Sequence, residues 1–379
     1  MIIGIDVSSV PYGTGVSMYT QNLVRSLIKI DKKNTYKLFF SSLRQPLPAD
    51  IGKLSQNSNV KIYHYRLPPT FLALLWNQWH IAPIEWFIGP CDVFHTWDWT
   101  QPPAKFAKTV TTIHDFVPIL YPENQHLKTI ATFKQKLFWA AKECSHFICV
   151  SQNTLTDLRQ LFPNIKPEIS SVIYEAAEDK YSQYQKLSAV DKKAKLSVLN
   201  KQYGLTKYVL AQGTREPRKN LDRLVKAFLM YKKNNPHSKV VLAITGKYGW
   251  GQDISPPSDN SVKVLGYIPE KDIVALHASA ICLCYPSLYE GFGLPLVKSM
   301  KVGTPIITSN VSSIPEVVGK AAILIDPLDI GAMATAIEKV IKSPNLRRQL
   351  IKKGLARSKH FSWQNTAVAT LAVYEKLLS

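Results

Sequence analysis

The residues best suited to chemistry stand at 286–295, Pro-Ser-Leu-Tyr-Glu-Gly-Phe-Gly-Leu-Pro, directly after an apolar run at 281–285. Gly291 and Gly293 bracket Phe292 at the start of a helical pattern and expose backbone N–H groups there, while Glu290 offers a carboxylate to hydroxyl groups. Residues 213–220 read Gly-Thr-Arg-Glu-Pro-Arg-Lys-Asn and lead into Leu221, Leu224, Val225 and Phe228 on one helical face. Arg218 can grip two oxygens at once and Lys219 adds a compact charge, so this turn suits a diphosphate; a solvated basic turn is the equal alternative. Gly13-Thr14-Gly15 precedes a helical pattern near Val16 in the same way. It either lets backbone approach an anion closely or simply makes a tight turn.

These residues must be positioned by short apolar runs that alternate with helical patterns, the signature of a parallel sheet with helices on both faces. The pattern occurs twice. Strands are predicted at 2–7, 36–40, 60–65, 92–95, 109–113 and 146–150, and again at 208–211, 240–244, 262–265, 281–285, 305–308 and 322–325. Between the first two strands, Val16, Tyr19, Leu23, Leu27 and Ile30 step by three and four, as one face of a helix does. Such sheets bind ligands outside the carboxyl ends of their strands, where all three glycine-containing turns fall. Residues 176–204 are polar and charged, with Lys192-Lys193, and are expected as a linker. The expected organisation is therefore α/β, with Rossmann-like domains over 1–175 and 205–363.

Composition narrows the function classes. At 379 residues, 46% of them apolar, the chain exceeds the size at which single cores stop growing. Its five cysteines, at 91, 144, 149, 282 and 284, have neither a disulfide framework nor a zinc spacing. On a strand Cys282 and Cys284 would share one face as small core residues. The N-terminal run Ile2-Ile3-Gly4-Ile5-Asp6 does not read as a signal peptide. Residues 71–88 are broken by Asn77, Gln78, His80, Pro83 and Glu85, too polar for a membrane-spanning helix. A cytoplasmic location is expected. The formal charge is +20; residues 1–170 carry 17 Lys and Arg against 11 Asp and Glu, and residues 171–379 carry 30 against 16. This excess is dispersed and follows no nucleic-acid motif, so phosphorylated substrates or an anionic membrane surface rank above nucleic acid, with a solvated surface accounting for most of it.

Taken together, these stretches resemble the retaining glycosyltransferase family 4, especially its bacterial mannosyltransferase-like members. The resemblance covers nearly the whole chain. It is carried by Glu290–Pro295, Glu216-Pro-Arg-Lys-Asn220, Gly246-Lys-Tyr-Gly-Trp250, Ser312-Ser-Ile-Pro-Glu-Val-Val-Gly319 before Asp326-Pro327, Thr112-Ile-His-Asp-Phe116 and Phe361-Ser-Trp363. It implies a GT-B fold of two Rossmann-like domains facing across a cleft, with residues 364–379 returning as a helix to the first domain. It also implies a nucleotide-sugar donor, a GDP- or UDP-hexose, held by Gly13, Gly15, Gly213, Arg218, Lys219, Gly266, Tyr267, Glu290, Gly291, Phe292, Gly293, Leu294 and the position of Lys298. His114, Glu290, Arg218 and Lys219 would be catalytic. The acceptor would be a glycan or lipid-linked precursor, with peripheral attachment at the inner membrane face. No Asp-x-Asp pair occurs, so no metal and no cofactor are expected, and Arg218 and Lys219 would take a metal's place.

One position departs from the family pattern. A second glutamate is expected eight residues after Glu290, where it holds ribose hydroxyls, and this chain has Lys298. A lysine cannot accept those hydrogen bonds. Lys298 binds another donor phosphate or handle, marks a weakened or inactive paralogue, or swings to solvent and leaves activity ordinary; ordinary activity is the favoured expectation. Elsewhere structural roles are expected. Ser313–Glu316 fits a capping box, Asp115 orients His114 or caps the following turn, and the aromatic cluster Trp76, Trp79, Trp86 and Phe87 belongs to the core.

Overall fold

The computed structural model describes residues 1–97, 99–251 and 253–379. Seven strands, β1 (Ile2–Asp6), β2 (Thr35–Ser41), β3 (Val60–Tyr65), β4 (Val93–Thr96), β5 (Lys108–Ile113), β6 (His146–Cys149) and β7 (Ser170–Val172), form one sheet in the order β3-β2-β1-β4-β5-β6-β7. Six more, β8 (Tyr208–Gln212), β9 (Val241–Thr245), β10 (Val262–Gly266), β11 (Cys282–Tyr285), β12 (Ile306–Ser309) and β13 (Ile323–Ile325), form a second sheet in the order β10-β9-β8-β11-β12-β13. Every pairing is parallel. Both sheets are thus Rossmann-like, each with its strand order reversing between two central strands, β1 and β4 in one and β8 and β11 in the other. Central strands are buried on both faces, as helix-covered parallel sheets require; β11 and β12 accordingly read as unbroken apolar or small residues, whereas β4 and β6 also bury His95 and His146.

Two compact units result: residues 1–175 with 362–379, and residues 176–361. The predicted strands are all present within a residue or two. β7 has no counterpart in the prediction because it is short, half-buried and opens on two serines. Residues 176–204 correct the expectation of a linker. They form the helices Asp179–Gln185 and Ala189–Tyr203 inside the second unit, where Tyr181, Tyr184 and Leu199 are buried. Polar composition misleads here because one narrow seam of aromatic residues anchors an otherwise solvated surface. The helix Trp363–Lys376 belongs to the first unit and packs against the helix Gly15–Ile30. Its buried face is Trp363, Thr366, Ala367, Thr370 and Tyr374, and the Tyr374 hydroxyl meets His95 Nδ1 at 2.5 Å.

The cysteines are free and buried, with Cys282 and Cys284 in the core of the second unit. The aromatic cluster divides. Trp76 is core, at 1% exposure, whereas Trp79 and Trp86 are 54% and 73% exposed. Trp76 lies on a π-helical turn, Ala73–Gln78, that ends before Trp79, and Trp86 lies on the separate short helix Glu85–Ile88 whose buried residue is Ile88. No helix among the described residues is long and apolar enough to cross a membrane.

Candidate functional site

The second unit gathers its charged residues at the carboxyl ends of β8 and β11, where the strand order reverses. After β8 the chain turns through Gly213 into a short 3-10 helix, Pro217–Lys219, and Asn220 then adopts a left-handed conformation (φ 58°) before the helix Leu221–Asn234. The Asn220 side chain holds this bend by donating to the carbonyls of Pro286 and Pro327, at 3.1 and 2.6 Å. Leu288 N donates to Arg218 O at 2.9 Å, so the two strand-end loops are bonded directly to each other. Gly246, φ 137°, lies so close beside this turn that a Cβ on it would stand 1.8 Å from the Gly213 carbonyl oxygen. Only glycine fits there.

On this frame Lys219 Nζ donates to Glu290 Oε1 at 2.5 Å and to the Tyr285 hydroxyl at 2.9 Å, and the Tyr285 hydroxyl donates to the same Oε1 at 2.7 Å. Arg218 Nη1 lies 3.2 Å from Glu290 Oε2 and donates to the Tyr289 carbonyl at 2.6 Å, while its Nη2 pairs with Glu216. Burial alone would raise the Glu290 pKa, but Lys219 and Arg218 outweigh it and hold the carboxyl down at about 2. For Lys219 burial and Arg218 win over Glu290, and its pKa is lowered. The contacts of Lys219, Tyr285 and Arg218 converging on one carboxylate favour the charged form of both Glu290 and Lys219. Gly293, φ 97°, caps the helix Leu294–Val302, so the backbone of Gly291, Phe292, Gly293 and Leu294 runs from the carboxylate into a helix N-terminus.

Ser313 has a role other than the expected cap. Its hydroxyl makes no cap bond and instead donates to the Glu290 carbonyl at 2.8 Å, while Ser312 Oγ accepts from Glu290 N at 2.8 Å. The residues after β12 therefore fix the loop that carries Glu290. Gly266 and Tyr267 stand at the end of edge strand β10; Gly266 O accepts from Gly246 N at 2.8 Å, and Tyr267, 61% exposed, lies under Lys247 Nζ.

Lys298 does not swing to solvent. Its side chain is 12% exposed, with Nζ 3.7 Å from Glu178 Oε2 and 5.4 Å from the Tyr181 ring centre. Lys180 Nζ also reaches Glu178, at 3.0 Å. Burial would raise the Glu178 pKa, but Lys298 and Lys180 pull it below the usual range. The helix Asp179–Gln185, absent from the sequence reading, delivers both Glu178 and Tyr181, so no local motif announced this pair.

The first unit holds the remaining predicted residues. Gly13 (φ 65°) ends a 3-10 turn, Thr14 caps the helix Gly15–Ile30 in a reciprocal box with Ser17, and a Cβ on Gly15 would meet nothing within 4 Å. His114 follows β5, with Nε2 3.9 Å from Glu175 Oε1 and its ring edge-on to Tyr19 at 4.7 Å. Asp115 accepts from Val117 N at 2.9 Å and so caps the next turn. Glu175 and Tyr285 are the neighbours that sequence reasoning missed; one follows a short strand without a motif, and the other is concealed within the apolar run of β11.

A doubly wound sheet with a cation–carboxylate cluster at its switch point has the arrangement of an α/β ligand-binding site. Comparison with known proteins specifies the kind. Residues 13–178 match the family description "Glycosyltransferase Family 4", and residues 195–357 match "Glycosyl transferases group 1". The O-antigen chain mannosyltransferase B of Escherichia coli is 30% identical over 378 residues, covering 96% of each chain. Among solved structures, sucrose-phosphate synthase from Thermosynechococcus elongatus superposes with a TM-score of 0.73 at 18% identity, covering 100% of this chain and 99% of that one. HepE of Anabaena in complex with UDP and glucose does so with a TM-score of 0.69 at 18% identity, covering 99% and 100%. The chain belongs to glycosyltransferase family 4 and is an enzyme of the GT-B type, related to mannosyltransferases.

Proposed function

We propose that the protein transfers a hexose from a nucleotide-sugar donor, GDP- or UDP-linked, to a glycan or lipid-linked acceptor, with retention of anomeric configuration and without a metal. The observation that carries this reading is the convergence of Arg218, Lys219 and Tyr285 on Glu290 at the carboxyl ends of β8 and β11. The mannose-transferring name of the Escherichia coli relative supports a hexose, and the UDP in the HepE complex supports a nucleotide donor. In the reaction Arg218 and Lys219 would neutralise charge as it develops on the leaving diphosphate, and the N-terminus of the helix Leu294–Val302 would add N–H donors, contributions of about 3–4 kcal/mol per well-placed donor. Glu290, kept ionised by the same cations, would accept from hydroxyls of the transferred sugar. His114, steadied by Tyr19, would donate to or accept from a sugar hydroxyl.

The competing reading, a donor-binding but weakly active paralogue, starts from Lys298. The pairing of Lys298 with Glu178 favours activity, because that cation is matched within the unit and a carboxylate stands beside it. For attachment to an anionic membrane, the support is the exposed side chains of Trp79, Trp86 and Phe106, with Lys105 Nζ 5.2 Å from the Phe106 ring.

Calorimetric titration with GDP- and UDP-hexoses tests the donor, NMR of the product tests the anomeric outcome, and turnover in EDTA tests metal independence. Micromolar binding of one donor, an axial product from an axial donor and unchanged turnover in EDTA are expected. Absence of binding by every donor would overturn the reading. Sedimentation with anionic vesicles at moderate salt tests the membrane surface.

A further inference from the structure

The C-terminal helix Trp363–Lys376 packs into the first unit at the place where His114 stands, and the reaction described above makes no use of it. It reaches His114 along two routes. The first is aromatic. Trp363 packs against Tyr19 with ring centres 5.8 Å apart and planes 67° apart, and the fully buried Tyr19 stands edge-on to His114 at 4.7 Å. The second runs through backbone. Thr366 Oγ1 donates to the Tyr174 carbonyl at 2.7 Å, the shorter of its two contacts, and the next residue is Glu175, whose Oε1 stands 3.9 Å from His114 Nε2.

Glu175 depends on that tether. It follows β7, an edge strand of three half-buried residues and so a weak anchor by itself. The Glu175 side chain is nonetheless buried, so water screens it poorly and its field at the imidazole is set by where the backbone holds it.

The aromatic route is braced by hydrogen bonds. The Tyr374 hydroxyl meets His95 Nδ1 at 2.5 Å, His95 Nε2 meets Thr112 Oγ1 at 2.8 Å, and Thr112 Oγ1 meets the Tyr19 hydroxyl at 3.1 Å. All four side chains are buried. Burial lowers the His95 pKa to about 3, so its imidazole is neutral. A neutral imidazole accepts at one nitrogen and donates at the other, which gives the chain a single direction; cutting any link leaves a buried polar atom short of a partner. Trp363 and Tyr374, about 16 Å apart along the helix, therefore both bear on Tyr19, one at its ring and the other at its hydroxyl. A helix that merely closed a core would bury an apolar stripe. Of the five side chains buried on this one, Trp363, Thr366 and Tyr374 lie on the routes to His114.

We infer that Glu175 and Tyr19 are positioning residues for His114, and that the C-terminal helix holds both in place, Glu175 through Thr366 and Tyr19 through Trp363 and Tyr374. The inference rests on the transferase reading for the reaction that His114 serves, and on these contacts alone for the placement of its imidazole.

The test uses the full chain, with binding and turnover of GDP- and UDP-hexoses and with NMR of isotope-labelled histidine rings, the His114 signals being identified by their loss in His114→Gln. Thr366→Val keeps the shape and removes the hydroxyl; it should lower kcat by about tenfold, leave the donor KM within about twofold, and move the His114 signals. Thr366→Ser, which restores the hydroxyl, should return kcat to within about twofold of the parent. Glu175→Gln should lower kcat by about tenfold or more, and adding Thr366→Val to it should cost no more than about a further twofold, because Thr366 acts through Glu175. Tyr374→Phe should move the His114 signals as well. Ile51→Val, a buried substitution in the same unit that enters none of these contacts, should lower the melting temperature without changing kcat or the His114 signals. His114 signals that stay in place in both Thr366→Val and Glu175→Gln overturn the inference, as does a Thr366→Ser protein no better than Thr366→Val. If the parent turns over a donor and neither kcat nor the His114 signals respond, the positioning role falls and the transferase reading stands. If the signals respond as expected and no donor binds, the positioning role stands and the transferase reading falls.

Discussion

Replacing Lys298 by glutamate would restore the residue type expected at this position from the family pattern, yet the structure predicts damage. The substitution removes a cation 3.7 Å from Glu178 and sets a second carboxylate beside it. At that distance and an effective dielectric near 20, opposite unit charges attract by about 4.5 kcal/mol before desolvation is counted. The side chains are 12% and 13% exposed, which places the pair between exposed bridges, worth about 0–1 kcal/mol, and buried ones, whose breakage costs about 3–5. Lys180, 3.0 Å from Glu178, softens the loss. A net destabilisation of about 2–3 kcal/mol follows, or roughly 5–10 °C in the unfolding temperature of a unit this size. Lys298→Met, which removes the cation without adding an anion, should lose about half as much. The charge-exchanged double variant, Glu178→Lys with Lys298→Glu, should recover at least about 1 kcal/mol relative to the sum of its parts. Scanning calorimetry of the parent, these three variants and the Glu178→Lys single variant decides the matter. A Lys298→Glu protein that melts within about 1 °C of the parent and also gains affinity for a nucleotide sugar would refute the pairing and return the position to the family's ribose-binding role.

Glu290→Gln should lower kcat by about 100-fold or more and cost about 3 kcal/mol of stability, because Lys219 is left buried beside a neutral amide; kinetics and urea unfolding measure the two effects separately. Tyr285→Phe should cost only about 1 kcal/mol, since Lys219 keeps its bond to Glu290. The depressed Glu290 pKa makes its contribution fully present above the unfolded carboxyl value near 4.5 and lost as pH falls toward about 2; an acid titration of stability should therefore lose a carboxylate-dependent term in that window, and Glu290→Gln should flatten it. Gly246→Ala should unfold or severely destabilise the second unit because its Cβ would lie against the Gly213 carbonyl, whereas Gly15→Ala, with open space above it, should melt like the parent. A fall in turnover for Gly15→Ala at unchanged stability would then report close approach of a ligand to that backbone.

Most of the fold was legible because parallel strands buried on both faces read as apolar runs, and each run from 2–7 to 322–325 has a strand in it. The charged cluster was legible in type and loop. Arg218, Lys219 and Glu290 each stood beside a turn after an apolar run, although nothing local showed that Tyr285 would share the Glu290 carboxylate. Illegible features depend on segments far apart in sequence. Glu178 reaches Lys298 across 120 positions, on a helix whose polar composition read as linker. Ser313 carries a good capping pattern, but a carbonyl of the Glu290 loop competes for its hydroxyl and wins. Trp79 and Trp86 share a hydrophobic stretch with Trp76, but that stretch is broken into a π-helical turn, Ala73–Gln78, and a separate helix, Glu85–Ile88, which a single 3.6-residue periodicity does not reveal.

The first unit is interrupted in sequence: residues 176–361 are made between its main body and the helix that completes its core. At about 5–20 residues per second, ribosomal synthesis of that insertion lasts roughly 10–40 s. During this interval all seven strands of the first sheet have been synthesised, but Tyr19 lacks Trp363 and His95 lacks the Tyr374 hydroxyl. The second unit, drawn from one continuous stretch, can fold as it emerges. The first unit can therefore be completed only after the whole second unit has been made, and until then the face of the helix Gly15–Ile30 that packs against Trp363–Lys376 is without its partner.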